Sequence, residues 1–319
     1  MAVNYPRTTL ILSVLEALIV IALESFIAYT YYQSYELDEG QNKYTSLLVY
    51  FIIFISSQVF QIVLVWDALR YQNTIQIIAF VLFNLSCFCY SLIQYNQLSQ
   101  MSGQLEKSAM QLCQTITIAI AATMLACFFF YIWLSYRLYR EFGWQIYKRI
   151  GADVRMTARY RSYQIFLTLI KLDIFFFLGF CVQFLVLVLV QSNPNDPEVP
   201  ITIASLPIII VTLVLAIYCI RRENRIMTVI FLFGLCCGAG YFIFKLIRMQ
   251  QRRHEPQYKN VIIFLTFFAA LSLIMIAATI VMTVQCYVNF GQGLKFHLDT
   301  SRTMAQTRAP TERNLNLIE

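Results

Sequence analysis

Eight long apolar stretches, separated by polar connections, fill most of this 319-residue chain. A helix needs roughly 20 apolar residues to cross a bilayer core of about 30 Å. Inside lipid, each segment has to satisfy its own backbone N–H and C=O groups, which a helix does. The pattern therefore predicts eight membrane-spanning helices, near residues 9–31, 45–66, 74–98, 112–136, 165–190, 201–220, 227–247 and 261–287.

The composition agrees with a lipid environment. The chain is 59% hydrophobic and 13% charged, with a mean hydropathy of +0.63, whereas a soluble protein of this size needs much more surface charge. The first apolar stretch is too long for a signal peptide and has no clear cleavage site, so we interpret it as a retained span. We predict an all-α polytopic transmembrane bundle over residues 1–298 and a disordered polar tail over 299–319.

The distribution of basic residues predicts the orientation of the bundle. The connection over residues 137–164, here called the basic segment, is rich in arginine and lysine, which marks the cytosolic side. Alternation across eight spans then places both termini in the cytosol and the acidic connection at 193–198 in the lumen. One connection disagrees with this scheme, so seven spans remain the rival interpretation; its basic residues are Arg248, Arg252, Arg253 and Lys259.

The sequence offers no recognisable catalytic or metal-binding constellation. All nine cysteines fall in or beside apolar spans, and the two histidines, His254 and His297, lie in different connections. A metal site or a Ser-His-Asp triad would lack its usual parts, and no nucleotide-binding, zinc-protease or nucleophile-elbow motif occurs. We therefore expect a protein without a cofactor that is not an enzyme.

Charged residues within the spans are the first candidates for a functional site, because burying each in lipid costs a few kcal/mol. Glu16 and Glu24 lie in span one, and Lys171 and Asp173 lie in span five. At about 1.5 Å per residue, Glu16 and Lys171 both lie roughly 10 Å from the cytosolic ends of their helices. Their matched depth and opposite charge predict an ion pair. A polar pathway or ligand site between these spans, or snorkelling of Lys171 to the headgroups, are the alternatives.

Uncharged polar and small residues suggest how the helices pack. Gln58 and Gln61 share one face of span two, where they either hydrogen-bond a neighbouring helix or line a cavity. Span seven carries a GxxxG pattern with one further glycine, at Gly234, Gly238 and Gly240. Small residues one turn apart let another backbone approach closely. We interpret this pattern as a packing contact within the bundle, with a dimer interface as the alternative.

The basic segment alternates cations with aromatic and aliphatic side chains, which is typical of a helix at the membrane interface. The segment either anchors the topology or recognises a phosphoinositide headgroup or a cytosolic protein. Nucleic acid is not expected there, because the membrane holds both ends of the segment. The candidate contacts are Arg140, Trp144, Lys148, Arg149, Arg155, Arg159 and Arg161.

The same region carries a family resemblance over roughly 40 residues. The strings Glu-Phe-Gly-Trp at 141–144, Tyr-Lys at 147–148, Gly-Ala-Asp at 151–153 and Tyr-Gln at 163–164 precede Lys171-x-Asp173 and a phenylalanine run. Together they resemble the uncharacterised fungal family of multi-pass Golgi apparatus membrane proteins. The resemblance implies a Golgi membrane address and a polytopic fold, and it implies no reaction.

Three functions are consistent with these observations. We favour a non-enzymatic organiser of lipid or protein partners that acts through the basic segment. The alternative is a secondary transporter with a polar site between spans one and five, built from two four-span halves, although the sequence shows no convincing repeat. A seven-helix receptor is the third interpretation.

Overall fold

The computed structural model describes residues 4–35, 41–100, 107–150, 154–186, 198–251, 253 and 262–291. These residues form helices without strands, and eight helices are long and apolar enough to cross a membrane. The prediction of an all-α bundle with eight spans is confirmed; the predicted disordered tail lies outside the described residues. The helices are α1 Tyr5–Tyr35, α2 Gln41–Arg70, α3 Thr74–Gln100, α4 Lys107–Ile150, α5 Val154–Phe184, α6 Glu198–Arg221, α7 Arg225–Gln251 and α8 Ile262–Val288.

Helix α4 extends well beyond its apolar part. It has 44 residues, whereas the apolar pattern alone accounts for residues 112–136. The polar continuation over residues 137–150 contains three Arg, two Tyr, one Glu, one Lys and no proline, so nothing in it forces the helix to end with the apolar run. Helical backbone therefore occupies the first part of the basic segment.

The eight helices form two rings of four with the same connectivity. In the first half, α1 and α3 each pack against both α2 and α4. In the second half, α5 and α7 each pack against both α6 and α8. The halves join where α2 and α3 meet α5, and where α3 meets α8. The structure thus contains a repeat of helix arrangement.

The turns between the second and third helices of the two halves are also alike. Gln72 and Glu223 both adopt left-handed backbone conformations, with φ of 52° and 51°. An asparagine follows each of them and caps the next helix, because its Oδ1 accepts a backbone N–H of the first turn, from Gln76 to Asn73 and from Met227 to Asn224. The same local geometry therefore connects α2 to α3 and α6 to α7.

Aromatic rings fill the seam between the halves. The ring centroids of Tyr50 and Phe264 are 4.1 Å apart, those of Phe60 and Phe175 are 4.7 Å apart, and Phe83 also packs on Phe175. Such pairs add about 0.5–1.5 kcal/mol each beyond the burial of their area. A cavity in this seam has a volume of only about 20 Å³. The seam is therefore apolar and closely packed.

The outer surface of the bundle is apolar as well. Phe129, Phe233 and Ile226 are 62%, 71% and 75% exposed, and many other aliphatic and aromatic side chains face outwards. Contiguous exposed apolar surface of this kind is rare in soluble monomers, and it marks surfaces that contact lipid or protein. Together with the helix lengths, it places the hydrocarbon of a bilayer around both halves.

An even number of spans requires both termini to lie on one side of the membrane, and the basic segment predicts that this side is cytosolic. We expect external protease to remove epitope tags from both termini in sealed Golgi vesicles. A third tag inserted within residues 187–197 should be protected, and it serves as the control for vesicle integrity. Removal of one terminal tag with protection of the other would contradict the eight-span topology.

Candidate functional site

The carboxyl group of Glu16 lies at the centre of the first half and is bonded by all three neighbouring helices. Gln61 of α2 donates from Nε2 to Oε2 over 2.9 Å, and Asn84 of α3 donates from Nδ2 to Oε1 over 2.7 Å. The hydroxyl of Tyr131 on α4 donates to Oε2. Glu16 is 1% exposed. One carboxyl group therefore joins α1, α2, α3 and α4.

This arrangement follows from the cost of burying polar groups in an apolar bundle. An unbonded carboxyl, amide or hydroxyl costs several kcal/mol away from water, and lipid offers no replacement partner. Three donors from three helices meet the two oxygens of Glu16, which offsets the burial of its carboxyl group. The amide oxygens of Gln61 and Asn84 are buried without a hydrogen-bond partner among the described residues. The network holds the four helices together, and its donors lie where a ligand of Glu16 would otherwise bind.

A second polar layer lies two turns further along α1. Gln94 of α3 donates from Nε2 to Oε2 of Glu24 over 3.0 Å. The other oxygen of Glu24 is buried and has no hydrogen-bond partner within the described chain. Gln58 is also buried, and both polar atoms of its amide lack a partner there. Of the two glutamines expected to join helices, Gln61 does so and Gln58 does not.

The predicted ion pair between Glu16 and Lys171 is wrong. Lys171 of α5 instead forms a salt bridge with Asp67 of α2, and its Nζ also donates to Oε1 of Gln76 over 2.9 Å. Gln76 in turn donates from Nε2 to Oδ2 of Asp67 over 2.7 Å. Sequence position gives the depth of a residue along its helix but not the direction in which its side chain faces. Helix α2, which carries Asp67, packs against α5.

Asp173 occupies a separate position in the second half. Thr279 of α8 donates from Oγ1 to Oδ2 of Asp173 over 2.7 Å, while Oδ1 is buried without a partner among the described residues. The four charged residues singled out in spans one and five are therefore not brought together. In both halves, however, a carboxyl of the first helix accepts a hydroxyl of the fourth, from Tyr131 to Glu16 and from Thr279 to Asp173.

Several polar residues of the bundle were not singled out from the sequence, among them Asp67, Lys245 and Tyr131. Asp67 lies one residue past the predicted end of span two, and extending that span by one turn would have found it. Lys245 lies inside α7, where it is 2% exposed, and its position within an apolar run is the signal that identifies it. Tyr131 follows a run of phenylalanines, and no sequence feature distinguishes it from a ring at the lipid surface.

Gly234 and Gly238 of α7 line a space instead of allowing a close approach of two backbones. A Cβ at Gly234 would lie 3.6 Å from Cγ2 of Thr212 on α6, and one at Gly238 would lie 3.9 Å from Cδ1 of Ile276 on α8. Both are ordinary van der Waals distances. A Cβ at Gly240 would meet nothing within 4 Å. The expected packing motif therefore borders a cavity between helices.

The side chains at the two ends of the basic segment are arranged differently. Arg137 lies over the rings of Trp133 and Tyr5, at 5.5 and 5.9 Å from their centroids, which fixes it beside α1. Further along, Arg140, Arg155 and Arg161 are exposed and Arg159 is half-buried, whereas the side chains of Trp144, Lys148 and Arg149 lie outside the described residues.

No group of three or more His, Cys, Asp and Glu side chains in the described ranges is arranged to hold a metal ion. The bundle, its lipid-facing exterior and its internally bonded carboxyl groups define an integral membrane protein with multiple spans.

The chain is 27% identical over 326 aligned residues to a UPF0658 Golgi apparatus membrane protein of Schizosaccharomyces pombe, and the alignment covers 91% of this chain and 89% of that protein. No family model matches the chain, and no solved structure matches it. The resemblance to the fungal Golgi family is confirmed, and with it the assignment as a multi-pass Golgi membrane protein.

Replacing Glu16 with leucine removes the shared acceptor of Gln61, Asn84 and Tyr131. We expect the free energy of unfolding to fall by roughly 2–4 kcal/mol, since three donors lose their partner inside the bundle. Thermal unfolding in detergent, followed through fluorescence-detected size exclusion, measures the shift. Glu16→Gln keeps an acceptor oxygen and should be milder. Equal melting temperatures for Glu16→Leu and the unmodified protein would show that the network does not hold the helices.

Reversing the charge of either Asp67 or Lys171 should lower protein abundance, and the exchange Asp67→Lys with Lys171→Asp should restore most of it. The effect is modest, because both side chains are partly exposed, at 21% and 34%. Immunoblotting of the membrane fraction measures abundance. The exchange of Glu16 and Lys171 is the matched control, and rescue by that exchange alone would contradict the observed pairing.

Proposed function

We propose that this protein is a non-enzymatic organiser of the Golgi membrane, which gathers anionic lipid headgroups at its predicted cytosolic face through the basic segment. The observation that carries this proposal is the length of α4. At about 1.5 Å per residue its 44 residues extend about 66 Å, roughly twice the hydrocarbon thickness of a bilayer. The helix therefore carries its basic end beyond the hydrocarbon.

Only three residues of sequence separate the basic end of α4 from the basic start of α5. Arg140 is exposed near the end of the bundle, and Arg155 and Arg161 are exposed in the first turns of α5. A cation close to an anionic membrane surface contributes about 1 kcal/mol. Several cations on two consecutive helices would therefore concentrate anionic lipid around this end of the protein.

The interior of the bundle favours the organiser interpretation over the transporter interpretation. The polar residues expected to line a path between spans one and five belong to separate clusters, and Glu16 already has three donors. Much of the seam between the halves is filled by stacked rings, and a cavity in it has a volume of only about 20 Å³. Eight spans also disfavour the third interpretation, a seven-helix receptor.

The test uses the full-length protein in nanodiscs that contain phosphatidylcholine and a small fraction of a phosphatidylinositol phosphate. We expect native mass spectrometry to find phosphoinositide retained on the protein above its share of the bilayer. The triple change of Arg155, Arg159 and Arg161 to glutamine should reduce this enrichment by roughly tenfold, because three contributions of about 1 kcal/mol are lost and salt screens part of each.

The matched control removes three cations from the same predicted face, at Arg70, Arg222 and Arg225, which lie at the α2–α3 and α6–α7 turns. This variant should retain the lipid enrichment. Equal losses in the two triple variants would indicate a general effect of net charge, and no loss in either would exclude headgroup binding by the basic segment. Either result would overturn the proposal.

A further inference from the structure

The two rings of helices differ at their centres. In the first half, Glu16 and its three donors fill the space among the helices. In the second half, the helices surround a cavity with a volume of about 470 Å³. Every helix of this half contributes to its wall, for example through Phe177 of α5, Leu213 of α6, Gly238 of α7 and Ile276 of α8.

The wall of this cavity is chemically suited to a hydrocarbon chain. Gly234 and Gly238 keep one side open, because no side chain extends from them into the space. The hydroxyl of Thr212 in the wall is turned to its own helix, where it donates to the carbonyl oxygen of Ile208 over 2.7 Å. Leucine, isoleucine and phenylalanine side chains supply most of the remaining contact surface.

The mouth of the cavity faces the lipid between α6 and α7. Ile208 and Cys237 line the cavity from these two helices, and both are exposed at the surface of the bundle. Val211 and Phe233, next to the mouth, are 64% and 71% exposed. The medium at this opening is therefore the hydrocarbon of the bilayer, and a lipid chain can enter without crossing water.

A buried cation, Lys245, lies one helical turn beyond the cavity wall at one end. Tyr241 lines the cavity, and Lys245 follows it by one turn of α7. The ammonium group of Lys245 is 5.7 Å from the ring centroid of Tyr241 and 3.9 Å from that of Phe184. Six residues, or about 9 Å, separate Lys245 from the end of α7. Lys245 therefore lies near one end of α7.

We propose that the cavity binds one acyl chain of an anionic membrane lipid, with the headgroup at the Lys245 end. The volume falls within the range of roughly 300–1,000 Å³ that is usual for small-molecule sites. The chain would contact the apolar wall, and the positive charge at one end favours an anionic headgroup over a zwitterionic one. This site lies in the second half and is independent of the basic segment.

The test is photolabelling of the full-length protein in phosphatidylcholine nanodiscs that carry a trace of a lipid with a diazirine on its acyl chain. The probe is either phosphatidic acid or phosphatidylcholine, and peptide mass spectrometry locates the label. We expect label on α6 and α7, with phosphatidic acid labelling more strongly than phosphatidylcholine. A leucine at position 238 would occupy the cavity, so Gly238→Leu should reduce the labelling by roughly tenfold.

Gly240→Leu is the matched control, because it makes the same change on the same helix at a position where a Cβ meets nothing within 4 Å. It should label like the unmodified protein, as should the triple arginine variant of the basic segment. Lys245→Gln should reduce phosphatidic acid labelling to the phosphatidylcholine level. Where that variant does not accumulate, the comparison of the two probes on the unmodified protein decides the preference for charge.

Two results would overturn the proposal. Undiminished labelling of Gly238→Leu would show that the chain lies outside the cavity. Equal labelling of the unmodified protein by the two probes would show that Lys245 does not select an anionic headgroup.

Discussion

Burying a polar group in a lipid-facing bundle is costly unless another helix supplies a partner, and the architecture of this protein depends on that cost. Glu16 meets it most fully, since α2, α3 and α4 each direct a donor at its carboxyl group. Asp173 and Thr279 join α5 to α8 in the second half, and Lys171 with Asp67 joins the halves. Apolar surfaces alone give little preference for one helix neighbour over another in lipid, so these bonds select the arrangement.

The two halves share one helix arrangement but differ in what their helices enclose. The first half encloses hydrogen bonds, whereas the second encloses an apolar cavity bordered by Gly234 and Gly238. Aromatic packing between the halves, such as that of Tyr50 with Phe264, separates these two interiors. The protein therefore combines a half whose helices share a central set of hydrogen bonds with a half that encloses an apolar cavity.

The spans were predictable from the sequence because the hydrocarbon thickness sets their length and their apolar character. The cost of charge in lipid likewise drew attention to Glu16, Glu24 and Asp173. Partner choice was not predictable, because sequence position gives depth along a helix but not its rotation or its neighbours. Asp67 was therefore missed as the partner of Lys171. The cavity beside Gly238 depends on the spacing between helices, and a GxxxG pattern is compatible with either close contact or open space.

The turns at Gln72 and Glu223 constrain how the bundle is assembled during synthesis. Only three residues separate α2 from α3, and three separate α6 from α7. Connections this short leave almost no slack, and the capping bonds of Asn73 and Asn224 are local. Each pair of helices can therefore acquire its mutual depth and angle as soon as both have left the ribosome. The later steps of assembly would then dock two preformed hairpins with the remaining helices, instead of sorting eight independent ones.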